Sequence, residues 1–499
     1  MQISFDRKTP AKADVAVALV TPDGKLGEQA AALDQQVGGA LSRARQAPRF
    51  KGKRGQILDI LAPAGFSGRR ILLAGTGKPS ELTVAHAREI GGAIAAHLGA
   101  EREPAAVLLL DAIKGAKLDD ADLAANIALG ARLRAYRFTK YLSKSREDAP
   151  GEVAALAVVL RKPAQAEKRI ARLAAVANGV YLARDLTNEP ASVIYPEGFV
   201  RHVQGLTKLG VKIETLDEQA MKKLGMNSLL AVAQGSANPP RLLVLRWDGG
   251  KPAAAPLAFV GKGVCFDSGG LNLKTSRGML TMKGDMAGAA AVAGAIQALA
   301  ERKAKVNAVG VAALVENLPS GRSYKQGDVV KTMSGQTIEV IDTDAEGRMI
   351  LVDALYYAAT RFKPRCMVDL ATLTYAVMAA VGRPFSGLLC NNEPLARQLT
   401  AAGQVTGERL WRLPLDDAYD KNLESNIADL RQVAPDPEHA DSVHGATLLK
   451  HFVDGRPWAH LDIADKEFLA KDGPLAPVGA TGYGVALLEQ FAAAIEGIA

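Results

Sequence analysis

The chain has 499 residues, 48% hydrophobic and 23% charged, the balance of a globular protein large enough for more than one core. Its formal net charge is +8 and its pI near 9.2, so acidic partners are open to it, and three cysteines exclude a disulfide framework. No run reaches membrane-spanning length and the first eight residues show no basic-then-apolar leader, which predicts a cytoplasmic protein without a membrane partner.

Over residues 1–162, strand-like runs at Val15–Val20, Arg70–Ala74, Ala106–Leu110 and Ala155–Leu160 alternate with Ala-rich helical segments. That order predicts a smaller N-terminal α/β domain, with an oligomerisation or regulatory role. Gly75-Thr76-Gly77 follows a strand but lacks the third glycine of a phosphate loop, so it reads as a tight turn. Basic clusters at Arg43–Arg45, Arg49–Arg54 and Arg161-Lys162 raise nucleic acid as an alternative partner. They lack interleaved aromatics for base stacking, and a solvated basic surface is the favoured reading. Residues 163–187 read as a connecting helix. From 188 to 499 strands and Ala-rich helices alternate again, which predicts a larger, doubly wound α/β catalytic domain with ligands at the carboxyl ends of its strands.

Two stretches of that second part concentrate charge where apolar residues are expected. Gly261–Gly270 follows the run Ala258-Phe259-Val260 and continues through Lys274 to Asp285, while Asp342–Arg348 follows Ile338–Ile341. Ionised groups at the ends of buried strands are unfavourable unless paired or bound to metal. Asp267, Asp285, Asp344 and Glu346 are oxygen donors able to bridge two cations, which suits Zn or Mn, with Mg or Co as alternatives. Lys262 is either a neutral amine donor to a metal or a counter-ion for surplus carboxylate. A two-metal phosphoesterase is the rival enzyme, but such sites use histidines, and none of the seven here lies in either stretch. His460 is expected to hydrogen-bond internally, and His439 and His444 to be exposed loop residues.

These stretches resemble the signatures of the M17 leucyl aminopeptidases. The resemblance extends from Arg184–Pro190 through Ala231–Ser236, Asp369–Thr374 and Trp458–Ala464 to Gly479–Gly484. It implies a hexameric enzyme that releases leucine and similar residues from peptides with free N-termini, using two divalent ions per subunit and a dinuclear site in the second domain. By position it implies that Asp267 and Glu346 bridge both ions. Lys262 and Asp285 would bind the looser ion and Asp344 the other. Lys274 would polarise the scissile carbonyl, and Arg348 would hold a bicarbonate that acts as general base. Thr372, Leu373, Thr374 and Tyr375 would line the substrate pocket. The chain departs from the family at Asp342 (usually Asn), Gly284 (Tyr), Thr275 (Pro) and Tyr375 (Gly), and residues 435–444 lack a glycine pair.

Overall fold

The computed structural model describes every residue except 9–12, 145–148, 436–439 and 499. The chain divides into two compact units, residues 1–177 with 469–479, and residues 178–468 with 480–499. The helix Pro163–Asn188 carries the chain from the first unit into the second.

The first unit is built on a six-stranded sheet in the order Gln2–Asp6, Ala155–Val159, Ala105–Leu109, Val15–Val20, Arg70–Gly75 and Ile57–Leu61. All neighbours are parallel except the last pair. Val15–Val20 is buried at every position, as an internal parallel strand covered on both faces requires. Gly77 has φ +71°, the left-handed backbone of the expected tight turn.

The second unit holds a mixed eight-stranded sheet, ordered Leu410–Arg412, Ser386–Cys390, Trp458–Asp462, Cys366–Ala371, Leu257–Asp267, Asn307–Asn317, Arg241–Asp248 and Lys212–Leu216. At its centre, Leu257–Asp267 runs parallel to both neighbours and continues through the motif that the sequence placed after the strand. Helices flank it on both faces. Ala258, Val260 and Val264 share a core with Met349, Ile350 and Val352 of the helix Glu346–Phe362. The Ala-rich helix Ala287–Glu301 lies against the opposite face, where small residues permit close approach: a β-carbon at Gly288 would stand 2.1 Å from the Leu370 carbonyl oxygen. Ile338 belongs to a separate three-stranded sheet of Val329–Lys331, Thr337–Glu339 and Leu430–Arg431, and the second charged stretch leaves from there. No helix among the described residues is long and apolar enough to cross a membrane.

Candidate active site

Lys262 and Asp267 are five residues apart and would face opposite sides of an unbroken strand. The pairing with Asn307–Asn317 shifts by one residue at Cys265, because Val264 faces Val315 while Phe266 faces Glu316. This bulge returns Asp267 to the side of Lys262, and both line one cavity of about 310 Å³. Asp285 enters from the turn before helix Ala287–Glu301, Asp344 from the loop after Thr337–Glu339, and Glu346 is the first residue of its helix.

The charges interlock. Lys262 Nζ lies 2.8 Å from Asp285 Oδ1, Glu346 Oε1 and the Thr372 carbonyl oxygen. Lys274 Nζ lies 2.8 Å from Asp267 Oδ2 and also contacts Asp344. Ligand atoms of Asp267, Asp344 and Glu346 all lie within 4.8 Å of one another. Burial raises the Asp267 carboxyl pKa, and repulsion from Glu346 adds to it against the pull of Lys274 and Lys262. Asp285 is pushed well up by burial, with Glu346 and Asp267 adding to it against Lys262. Asp344 rises to about 7, from burial first and then from Asp267 and Glu346. Burial alone would lower Lys262 and Lys274, yet the surrounding carboxylates outweigh it and hold both above the ordinary lysine value. In this arrangement the Lys262 ammonium is paired with Asp285 and Glu346.

Two lysines do not use up four carboxylates. Asp285 Oδ2 and Glu346 Oε2 are buried without a hydrogen-bond partner, which leaves both able to accept from a cation. Supporting contacts fix the rest. Thr372 Oγ1 donates to Asp285 Oδ1 at 2.7 Å. Asn317 Nδ2 donates to Asp267 Oδ1 and to the Thr343 carbonyl, and Tyr324 donates to that same carbonyl. A β-carbon added at Gly347 would meet Lys262 Nζ at 2.9 Å, so glycine there leaves room for the ammonium. Asn317 and Tyr324 escape sequence reasoning; the one signal is that Asn317 ends a strand beside Asp267.

Arg348 is buried, donating from Nη1 to the Gln432 carbonyl and from Nη2 to Asp441 Oδ1 at 2.7 Å, while its Nε has no partner. Leu373 N–H and Thr374 Oγ1 both turn to Asp462, and Thr374 also caps helix Tyr375–Val381. Tyr375 is 62% exposed and lines the cavity, its ring 5.8 Å from Lys274 Nζ. The departures acquire local reasons. Asp342 Oδ1 accepts the Asp344 N–H at 2.8 Å, and Thr275 caps the short helix Ser276–Met279. A β-carbon at Gly284 would lie 2.3 Å from the Phe468 ring. Of the residues 435–444, those at 436–439, including His439, lie outside the described ones. His444 is buried, its Nδ1 accepting the Ala440 N–H, which corrects the expectation of an exposed loop residue: it sits inside helix Asp441–Lys450. His460 is paired with Asp369 at 2.6 Å as expected, and all three cysteines are free.

Residues 181–489 match the catalytic-domain model of the cytosol aminopeptidase family, and residues 16–145 match its N-terminal-domain model. A probable cytosol aminopeptidase of Bradyrhizobium sp. strain BTAi1 is 46% identical, covering 98% of this chain and 97% of its own. One from Rhodopseudomonas palustris strain BisA53 is 48% identical over 91% of this chain and 90% of its own. Among solved structures, the bottromycin maturation enzyme BotP in complex with Mn superposes with a TM-score of 0.84 at 32% identity, covering 97% of this chain and 100% of its own. A mutant of tomato leucine aminopeptidase superposes with a TM-score of 0.85 at 31% identity, covering 98% of this chain and 96% of its own.

Proposed function

Because the chain belongs to the cytosol aminopeptidase family and is thus a metal-dependent aminopeptidase, we propose that it releases leucine and similar apolar residues from peptides with free N-termini at a two-metal site. The observation that carries this reading is the surplus of buried carboxylate oxygen around Asp267, Asp344 and Glu346, with orphaned oxygens on Asp285 and Glu346. Asp267 and Glu346 would be shared between two ions, Asp285 and Lys262 would serve one and Asp344 the other. Such oxygen donors fit Zn or Mn, with Mg or Co as alternatives. Divalent ions held there supply an acidified water and polarise the scissile carbonyl.

The chain's own groups do the remaining work. Lys274, with its carboxylates engaged by cations, donates a hydrogen bond to the carbonyl oxygen as negative charge develops on it. Thr372 orients Asp285 through its hydroxyl. Arg348 stays protonated and cannot be a base. With Nη1 and Nη2 each using one N–H on Gln432 and Asp441 and Nε unpartnered, donors remain for a bicarbonate, and that anion would supply a general base. Leu373, Met282 and Met378 offer apolar walls to the first side chain. Tyr375 narrows the cavity, so Tyr375→Gly should raise the Trp-to-Leu ratio of kcat/KM severalfold, to about tenfold. We assign residues 188–499 to catalysis and 1–162 to oligomerisation or regulation, in a cytoplasmic homohexamer.

The test is reconstitution of chelated protein with Zn, Mn, Co and Mg, then hydrolysis of leucyl p-nitroanilide, its N-acetyl derivative and p-nitrophenyl phosphate. Metal-dependent cleavage of the first alone supports the reading. Activity that survives chelation, or equal cleavage of the acetylated substrate, defeats it.

A further inference from the structure

The catalytic cavity contains more acid than its cation cluster explains. Asp267 and Asp344 are held by Lys274, and Asp285 by Lys262. Asp441 is held by Arg348 and Asp465 by Arg383 at 3.0 Å, while Asp342 accepts from Asn272 and from a backbone N–H. Glu467 is the exception. It lines the same cavity, yet its Oε2 is buried with no hydrogen-bond partner, and no cation among the described residues forms an ion pair with it. The neighbouring Lys466 ammonium turns to the Gly382 carbonyl at 3.0 Å and acts on Glu467 only from a distance. Burial pushes the Glu467 carboxyl up to about 7 and Asp465 adds to the rise, against its own backbone N–H and the more distant charges of Lys466 and Lys262.

A carboxylate desolvated without a cation in contact with it is unfavourable and is relieved by an incoming cation. The cavity walls beside it are apolar at Met282, Met378 and Ala464, with the Tyr375 ring exposed nearby. An aliphatic stem ending in a positive charge matches that combination, since the stem packs on the walls and the head reaches the acid. We infer that Glu467 is a specificity-determining residue that admits lysine and arginine as the N-terminal residue of the peptide, beside the neutral side chains that the apolar walls accept. This inference rests on the aminopeptidase reading. The α-ammonium is the rival occupant, and since every substrate carries it, its binding there would give no selection between side chains.

The experiment compares lysyl and methionyl p-nitroanilides, whose side chains are similar in length and differ in charge. Wild type, Glu467→Gln and Glu467→Met are measured as metal-loaded enzymes, and calorimetry gives the affinities of lysinamide and methioninamide. In both variants the Lys-to-Met ratio of kcat/KM should fall at least about tenfold, and the lysinamide-to-methioninamide affinity ratio should fall with it, at unchanged metal content. If both substrates decline together, Glu467 serves the α-amine and the proposal is overturned. Loss of metal from Glu467→Gln also overturns it, since the residue would then be a ligand. If wild type cleaves methionyl but not lysyl substrate, this inference falls and the aminopeptidase reading stands. If it cleaves neither, the aminopeptidase reading itself fails.

Discussion

Among the described residues, two clusters of ionisable side chains have the composition of a cation site, and they differ in burial and in how their charges are paired. In the first unit, Asp59, His97 and Glu101 bring ligand atoms within 4.8 Å of one another, the same criterion that Asp267, Asp344 and Glu346 meet in the second. The first cluster contains its own cation, because Arg70 contacts Asp59 and lies 3.0 Å from Glu101 and 3.4 Å from Glu103, while His97 bonds Asp59 at 3.0 Å. In the second, two lysines are shared among four carboxylates, and although both clusters keep a buried oxygen without a partner, Asp267 and Glu346 are buried whereas Asp59 and His97 are half-buried and Glu101 is exposed. The lesson is that proximity of acidic groups does not define a metal centre. Residual negative charge in a desolvated place does.

The contrast is easiest to break at the ligands. Asp267→Ala and Glu346→Ala should each lose bound metal and essentially all activity, whereas Asp59→Ala should leave the metal content of the purified protein unchanged; elemental analysis of the three variants checks this. Lys274→Ala comes next, with metal retained and turnover down about 10²–10³-fold, the effect of removing one oxyanion donor. A metal-free Lys274→Ala protein would mean that the lysine organises the site and does not act on the substrate.

Arg70→Ala sharpens the other half. It leaves Glu101 without its cation, Asp59 with His97 alone and Glu103 with Arg69 alone, and should lower stability by about 1–3 kcal/mol, read from denaturant unfolding. The smallest effect concerns pH. Asp344 sits at about 7, with Asp267 and Asp285 also raised, against about 4 in an unfolded chain, so the folded protein binds more protons across that window. Stability of chelated protein should therefore fall as pH rises from about 4 to 7. Lys262 and Lys274 do not alter this slope, since their raised values favour folding equally at every pH below the ordinary lysine range. Melting temperatures at pH 5, 6 and 7.5, with chelator and with Mn, should show the decline only in the chelated sample.

Much of this was legible in the chain alone. Val15–Val20 coincides with the observed strand because an internal parallel strand is apolar at every position. Charged residues framed by glycines drew attention to these stretches, and Asp267, Asp285 and Asp344 line one cavity with Lys262, Lys274 and Arg348, while Glu346 is paired with Lys262. Residue type and spacing are local properties, and they determined the fold class, the family and the chemistry of the donors. Direction, partnership and burial are not local, and only the tertiary structure decided them. The bulge at Cys265 depends on the neighbouring strand, and without it Lys262 and Asp267 would face apart. Asp441 reaches Arg348 across 93 positions of chain, and His444 is buried because its helix packs inward. Glu467 looks like any surface glutamate in the sequence; it became informative only when the fold buried one of its carboxylate oxygens without a hydrogen-bond or ion-pair partner, which no count of residues can foresee.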